Sequence, residues 1–484
     1  MPTVLIVAFD GLQPSQVTRE LMPNLAAFAA EGVTFGNHHA VFPTVTRANA
    51  ASMVTGRYPG AHGLAANTVV FRDYDRHLAF SALEPTLALV TAKLGGILLA
   101  PTLADILARH GEEYVAVVSG TSGNAYVHNP NAERSGGATI HPEFCLPRAL
   151  HVEVLSRFGP WPEEAEPNRR LMSRAVEVLT DYVLRERRPA VSLLWLSEPD
   201  HSQHAYAAGS RVSNDALLEA DREFGRVLSW LTDAGLEADT DVIAVSDHGH
   251  STALETVDIG ARVEEAGFSP PGGKGSVIVA KNNGSVLFYV EDGDSATADR
   301  LAAWLMAQPW CGPVLASETV GPIPGTLPLS IAGAQGDRAP DLMMSFSWNS
   351  EMSSNGIPGL ARSTGAPPGR GMHGSMSRQE MHNVLLARGP SFRRGAVLTT
   401  PSGNVDLAPT ILAMLALPGA ETMDGRPLLE ALKAGPSADA VEWTTEQHEA
   451  EREVDTGTYR QRITVARVGE TAYIDEGSAE HLPP

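Results

Sequence analysis

Three aspartates close three short apolar runs, and histidines accompany two of them. TVLIVAFDGL delivers Asp10, VSLLWLSEPDHSQH delivers Asp200 with His204 four residues on, and DVIAVSDHGH delivers Asp247 with His248 beside it. Carboxylate and imidazole together suit a divalent transition ion, zinc foremost, and match magnesium or calcium poorly, because those cations prefer oxygen shells. An aspartate after a strand also serves as a turn former or helix cap. An isolated Asp-x-x-x-His or Asp-His-Gly does not separate the two roles; several such pieces in one alternating chain favour a shared metal crevice.

A fourth segment adds a hydroxyl. In PTVTRANAASMVTG (43–56), PTVT is extended, RANAASMVT has helical character and Gly56 is a natural stop, so Thr46 falls at a helix N-terminus. Free N–H groups and the helix dipole favour a phosphate there. A threonine hydroxyl is a poor nucleophile until a base or metal lowers its pKa. Threonine is also a good N-cap, and the two roles are compatible.

These residues need a scaffold that brings them together. TVLIVA (3–8), YVAVVS (114–119), VSLLWLS (191–197) and DVIAVS (241–246) are near-continuous apolar runs, as in a parallel sheet buried on both faces. Between them lie helical patterns: in SNDALLEADREFGRVLSWLTDAG, Leu217, Leu218, Phe224, Val227, Leu228 and Leu231 recur at helical steps and Gly235 ends the run. The expected fold is α/β, a mostly parallel sheet between helical layers, with the aspartates in one crevice off the carboxyl ends of its strands. Residues 256–340 break the rhythm with SVLFYVEDG (285–293), a helix near 295–307 and GPVLAS (312–317), flanked by PPGGKG (270–275) and GPIPGTLP (321–328). They read as a small inserted α+β cap. SSNGIPGLARSTGAPPGRG (353–371) reads as a long loop. The division is a catalytic core over 1–255 and 341–440, the cap, and an extension over 441–484 whose RQRITVARVGETAYIDEG alternates like a β-hairpin.

Bulk properties narrow the partners. The 484 residues carry 57 acidic against 36 basic side chains, a formal charge of -21. That balance argues against a broad nucleic-acid or anionic-membrane footprint, although bound metal can invert the sign of a pocket. Cys145 and Cys311 alone make neither a disulfide framework nor a cysteine zinc site. The opening MPTVLIVAFDGL lacks the pattern of a secretory signal, and TLALVTAKLGGILLA (86–100) is too short and interrupted to span a bilayer. A cytoplasmic location is expected.

Taken in order, AFDGL, MPNLAAFAAEGVTF (22–35), PTVTRAN, VTGRYPGAHG, EPDHSQH, SDHGH, MHGSMS (372–377) and DLAPTILAMLALPGAETMDGRPLL (406–429) resemble the alkaline phosphatase superfamily. The likeness is to its type I phosphodiesterase/nucleotide pyrophosphatase branch, close also to phosphonoacetate hydrolases. It implies two divalent ions, zinc by preference. One would be held by Asp200, His204 and His373, the other by Asp10, Thr46, Asp247 and His248. Thr46 would be the nucleophile and Asn67 would hydrogen-bond a phosphoryl oxygen. His62 reads as a turn residue, His201 and His250 as neighbours of ligands, and His382 as an outer support.

Related enzymes acting on monoesters or phosphonoacetate place basic side chains after the strand corresponding to YVAVVS. SGTSGNAYVHNP (119–130) has no Lys or Arg. The expected substrate is therefore a phosphodiester or pyrophosphate-linked nucleotide, with a phosphomonoesterase or carbon–phosphorus hydrolase as the alternative. A non-catalytic metal-binding protein is a third reading, disfavoured by the full ligand set. Arg47 would bind a charged substrate group if turned inward, and an exposed position is the expectation.

Overall fold

In the computed structural model, which describes residues 3–269, 272–273 and 275–483, the central element is a nine-stranded sheet among those residues. Its order is Ala396–Leu398, Val33–Phe35, Leu385–Arg388, Thr240–Val245, Thr3–Phe9, Val191–Leu196, Tyr114–Val118, Ala138–Ile140 and Cys145–Leu146. Pro270, Pro271 and Lys274 of the PPGGKG stretch lie outside the described residues. Thr3–Phe9 pairs in parallel with Thr240–Val245 and Val191–Leu196, and Val191–Leu196 with Tyr114–Val118. Leu385–Arg388 and Cys145–Leu146 run antiparallel to their inner neighbours. The fold is α/β with a mostly parallel sheet and additional smaller sheets.

Side chains of Thr3–Phe9 alternate between two cores. Val4, Ile6 and Ala8 enter one, and Leu5, Val7 and Phe9 the other. Burial on both faces is why the runs are apolar throughout rather than every second residue. The helix Arg211–Asp233 covers one face through Leu217, Phe224, Val227 and Leu231, and its cap Ser210 accepts from Ser213 N–H. On the other face the helix Thr46–Thr55 is buried at every position. Its polar side chains must therefore find partners inside. Asn49 Oδ1 accepts from Val41 N–H at 2.7 Å and from Asn404 Nδ2 at 2.8 Å, which pins the approach to Thr46. Gly56 ends the helix at φ 64°, a left-handed conformation that glycine adopts without strain.

A five-stranded sheet, in the order Val277–Asn282, Ser285–Val290, Leu342–Phe346, Cys311–Ala316 and Leu327–Pro328, carries the helix Ser295–Met306 on a core of its own. The stretch 353–371 is not simply a loop. Pro358–Ser363 is a strand, parallel to Ser251–Thr256, and Gly371–Met372 pairs antiparallel to that strand's start. Its glycines and prolines hid an alternation in which Gly359, Ala361 and Ser363 point inward.

Beyond residue 440, Gly457–Val468 and Thr471–Leu482 form the hairpin read from the sequence, and Thr444–Val454 adds a third antiparallel strand. That strand escapes an apolar pattern because Glu449 and Glu451 face Arg462 and Arg460 across the ladder and Glu446 reaches Arg467 diagonally. Among the described residues no helix is long and apolar enough to cross a membrane. The 86–100 run folds into the helix Glu84–Leu94, stopped by Gly95.

Candidate active site

The parallel order of the central strands places their carboxyl ends along one edge. Asp10 directly follows Thr3–Phe9, Asp247 follows Thr240–Val245 after Ser246, and Asp200 opens the helix Asp200–Tyr206. Neither Asp200 nor Thr46 caps its helix: Pro199 and Val45 hold the cap positions, with no side-chain cap bond in either helix. The capping alternative is thereby removed for both residues, and their side chains stand free for other contacts.

Asp10, Asp247, His248 and Thr46 form one cluster. Trp195 Nε1–H donates to Asp10 Oδ2 at 2.9 Å, and Gly11 N–H donates to Asp247 Oδ1 at 3.0 Å. Gly11 is at φ 70°, and a Cβ there would stand 2.8 Å from His250 Cδ2. The other two oxygens, Asp10 Oδ1 and Asp247 Oδ2, are buried without a hydrogen-bond partner. They lie 3.8 and 3.2 Å from His248 Nε2. His248 Nδ1–H donates to the Gly249 carbonyl at 2.9 Å, which leaves the Nε2 lone pair facing the carboxylates. Thr46 Oγ1 is 3.3 Å from the same nitrogen. Burial, then the charges of Asp247 and Asp200, raises Asp10 well above the ordinary carboxylate range. Burial likewise raises Asp247, against the pull of His248. Buried carboxylate oxygens without a partner, grouped with His248, could hold a metal ion.

Asp200, His204, His250 and His373 form the second cluster. Asp200 Oδ1 lies 3.3 Å from His204 Nε2, 3.6 Å from His373 Nε2 and 2.7 Å from His250 Nε2. His204 Nδ1–H donates to the Gly371 carbonyl at 3.2 Å and His373 Nδ1–H to that of Thr44 at 2.7 Å. Their Nε2 atoms, both lone-pair donors in that tautomer, stand 3.1 Å apart. The rings of His248 and His373 stack at 3.8 Å, so the clusters adjoin. Burial opposes ionisation of Asp200, yet His204 and His250 draw it well below the carboxylate range. Burial likewise opposes protonation of His204, and Asp200 outweighs it, raising that pKa. Burial, with His248, holds His373 well below the ordinary imidazole value.

The structure thus gathers Asp10, Thr46, Asp247 and His248 in one group and Asp200, His204 and His373 in an adjoining one. His250 joins the second with its buried Nδ1 unpartnered, and its pKa falls to about 4, chiefly by burial. Asn67 Oδ1 accepts from Arg47 N–H at 3.0 Å, which leaves its amide N–H groups free to donate. His62, read as a turn residue, instead ends the one-turn helix Pro59–His62, buried and bonded to Ser52, and His201 lies outside both groups.

Two expectations are corrected. Arg47 is 7% exposed, not at the surface, because the helix that carries it is enclosed on all sides, and its Nε has no partner. Burial lowers its pKa to about 10, with Asp10 and Asp200 opposing, so it stays charged at neutral pH. His382 does not support a ligand of either cluster: its Nε2 lies 2.9 Å from Asp475 Oδ1. Three supports went unread in the sequence. Trp195 sat inside a strand, Asn404 donates to the Asp247 carbonyl, and Glu380 accepts from Thr44, Ser251 and Ser375 around His373. Nothing local marks a buried glutamate in SRQEMH; only the long-range contacts do.

Comparison with known proteins gives a consistent picture. The family model for type I phosphodiesterase / nucleotide pyrophosphatase matches residues 4–376. The chain is 26% identical over 250 residues to the bis(5'-adenosyl)-triphosphatase enpp4 of Xenopus laevis, covering 51% of this chain and 47% of that protein. It is 23% identical over 430 residues to the ectonucleotide pyrophosphatase/phosphodiesterase C27A7.3 of Caenorhabditis elegans, 88% of this chain and 48% of that one. The chain therefore spans about half the length of these curated relatives. Among solved structures, murine ectonucleotide pyrophosphatase / phosphodiesterase 5, as an inactive form in complex with AMP, superposes with a TM-score of 0.60. It shares 18% identity over 86% of this chain and 96% of that one. The human counterpart gives 0.63 at 17% identity over 89% of this chain and all of that one.

Proposed function

Because the chain belongs to the type I phosphodiesterase/nucleotide pyrophosphatase family of the alkaline phosphatase superfamily, we propose that it is a metal-dependent hydrolase of phosphodiester or nucleotide pyrophosphate bonds that works through a phosphothreonine at Thr46. The observation that carries this reading is the setting of Thr46 Oγ1, 3.3 Å from His248 Nε2, the same nitrogen that faces the orphaned oxygens of Asp10 and Asp247.

The residues fit two divalent ions, zinc by preference: Asp10, Asp247, His248 and Thr46 would hold one, and Asp200, His204 and His373 the other. When bound, such a pair supplies Lewis-acid stabilisation of the attacking and leaving oxygens and neutralises phosphoryl charge. The protein's own groups do the rest. Thr46, on the first turn of a buried helix, is held for in-line attack on phosphorus, forming the Oγ1–P bond as the ester oxygen departs. Asn67, anchored by its Oδ1, donates to a non-bridging oxygen as charge builds there. Water then attacks the same phosphorus, releasing the phosphoryl product and restoring the Thr46 hydroxyl.

Nucleotide-like substrates are favoured by the relatives' named activity on bis(5'-adenosyl) triphosphates and by the AMP complex of the murine structural neighbour. One observation favours a second reading. The buried, incompletely paired guanidinium of Arg47 could meet an extra negative group, which suits a phosphomonoester or phosphonate. Assay on matched nitrophenyl phosphate diesters and monoesters, with chelator and Thr46→Ala controls, decides between them. Diester preference abolished in both controls upholds the proposal; monoester preference transfers it to the second reading; chelator-insensitive turnover ends both.

A further inference from the structure

Away from the catalytic clusters, three segments distant in sequence converge on one carboxylate oxygen. His39 lies in the short strand His38–His39, His382 follows the helix Arg378–Met381, and Asp475 sits in the strand Thr471–Leu482. Asp475 Oδ1 lies 2.9 Å from His382 Nε2 and 3.3 Å from His39 Nε2. Their ligand atoms all fall within 4.8 Å of one another. A tetrahedral zinc with bonds near 2 Å spaces its ligands about 3.3 Å apart. The same spacing recurs in the catalytic clusters, where His204 and His373 stand at 3.1 Å.

The hydrogen bonding around the triad resembles that of a ligand set. His39 Nδ1–H donates to the Ser402 carbonyl at 2.9 Å, so the neutral ring turns its Nε2 lone pair toward Asp475. His204, His248 and His373 are oriented by the same device, each with Nδ1–H on a backbone carbonyl. Two acceptors facing each other repel unless a cation or a proton lies between them. A proton would make His39 an imidazolium in a position with no side-chain exposure, where charge is costly. The second carboxylate oxygen is engaged elsewhere, with Arg378 Nη2 3.5 Å from Oδ2. His382 and Asp475 keep 25% and 22% side-chain exposure, which leaves room for a water as fourth ligand.

We infer that His39, His382 and Asp475 form a metal site separate from the catalytic clusters, which takes a zinc-class divalent ion and clips the C-terminal sheet to the catalytic core. Two nitrogens and one oxygen suit such an ion and give calcium or magnesium too few oxygens. Without the ion, that sheet is joined nearby by Arg378, paired with Asp475 and Glu476, and by hydrogen bonds such as Tyr473 Oη–H to Asp406 and Ala472 N–H to Tyr58 Oη.

The test is zinc content, with zinc alone as the probe. The 484-residue chain and its Asp475→Asn variant are loaded with zinc, dialysed and analysed by mass spectrometry. The variant should hold about one equivalent less than the parent, melt several degrees lower and keep phosphoester turnover within about threefold. His382→Ala should show the same loss. Anomalous diffraction at the zinc edge on parent crystals should give a peak among the three side chains, and this reads out even if the variants fold poorly. Equal zinc in parent and variant, or no peak at this position, overturns the proposal and leaves an Asp475–imidazolium ion pair. Because the count is a difference, it stands apart from whether the catalytic clusters bind metal.

Discussion

His204 and His373 aim their Nε2 atoms at each other across 3.1 Å while backbone carbonyls hold the Nδ1–H of each ring. Neither ring can turn without losing that bond, so the two lone pairs converge on one point with Asp200 Oδ1 beside them. An arrangement that is repulsive when empty becomes a chelate around a cation. The consequence is measurable. Prolonged chelation should abolish phosphoester turnover and lower the melting temperature, and added zinc should restore both. Full activity in protein shown by mass spectrometry to hold no metal would rule out a catalytic role for this cluster.

In the stripped protein Asp10, Asp247 and His204 each cost stability as pH rises, whereas His250 and His373, held low chiefly by burial, add to it as pH climbs to 6.5. Burial raises the folded-state pKa of Asp10 and Asp247 above the ordinary 3.8. A carboxylate so shifted binds its proton more tightly in the folded state, so its penalty is absent below 3.8 and grows as pH climbs through the folded value. Asp200 raises His204 above 6.5, and that pair's contribution is present below 6.5 and lost as pH passes the raised value. All three changes have the same sign, each worth about 1.4 kcal/mol per pH unit while a proton is being released. Zinc replaces these protons. The gap in melting temperature between zinc-loaded and stripped protein should therefore widen from pH 5 to pH 8, and a constant or narrowing gap would contradict it.

Thr46 and Asn67 should separate chemistry from binding. Removing the nucleophile in Thr46→Ala should cut kcat by about 10⁴-fold or more. Asn67→Ala should cost roughly 10²–10³-fold, mainly in kcat, since its donor serves charge that develops in the transition state. Single-turnover reactions quenched in acid should trap label on Thr46 of the parent and none on Thr46→Ala. An Asn67→Ala effect confined to KM would assign that side chain to ground-state binding instead.

What could be read in advance was what local pattern encodes. The buried strands announced themselves because Leu5 and Ile6, on opposite faces, are both enclosed. Asp10 and Asp247 were legible because they close such strands, and Thr46 because PTVT changes character just before a helix. His250 was passed over, since nothing in SDHGH tells which histidine turns inward until Ser251–Thr256 is set against Gly371–Met372. Arg47 was misread because exposure belongs to tertiary packing, and an arginine in a helix otherwise built of small residues carries no mark of enclosure. The triad of His39, His382 and Asp475 joins residues separated by 93 positions or more in every pair, beyond the reach of any motif.

Arg47 should act on charge selectivity. Its guanidinium is buried, with Nε unpartnered, and a hydrogen bond to a charged group is worth about 1.5–3 kcal/mol. Arg47→Met keeps much of the side-chain volume without the charge. It should raise KM roughly 10- to 100-fold for substrates with an extra negative group beside the scissile phosphate. Neutral-ended diesters should change by less than about threefold. Equal loss on both substrate classes would mean that Arg47 supports the Thr46 helix rather than reading substrate charge.

Trp195 tests how far support of a ligand controls the metal. It is fully buried, and its Nε1–H is the donor that occupies Asp10 Oδ2 at 2.9 Å, fixing which oxygen faces the cluster. Trp195→Phe preserves an aromatic ring in the strand and deletes that donor, leaving a buried carboxylate oxygen unsatisfied. Removing such a support typically weakens metal binding by about 10–100-fold. The variant should accordingly lose turnover at limiting zinc and regain most of it at saturating zinc, with kcat near the parent's. Cobalt loading, followed by its absorption bands, would report occupancy independently of turnover. Full occupancy at limiting metal would show that Asp10 is oriented by the strand alone, and loss that no zinc concentration repairs would place Trp195 in holding Thr46 rather than the ion.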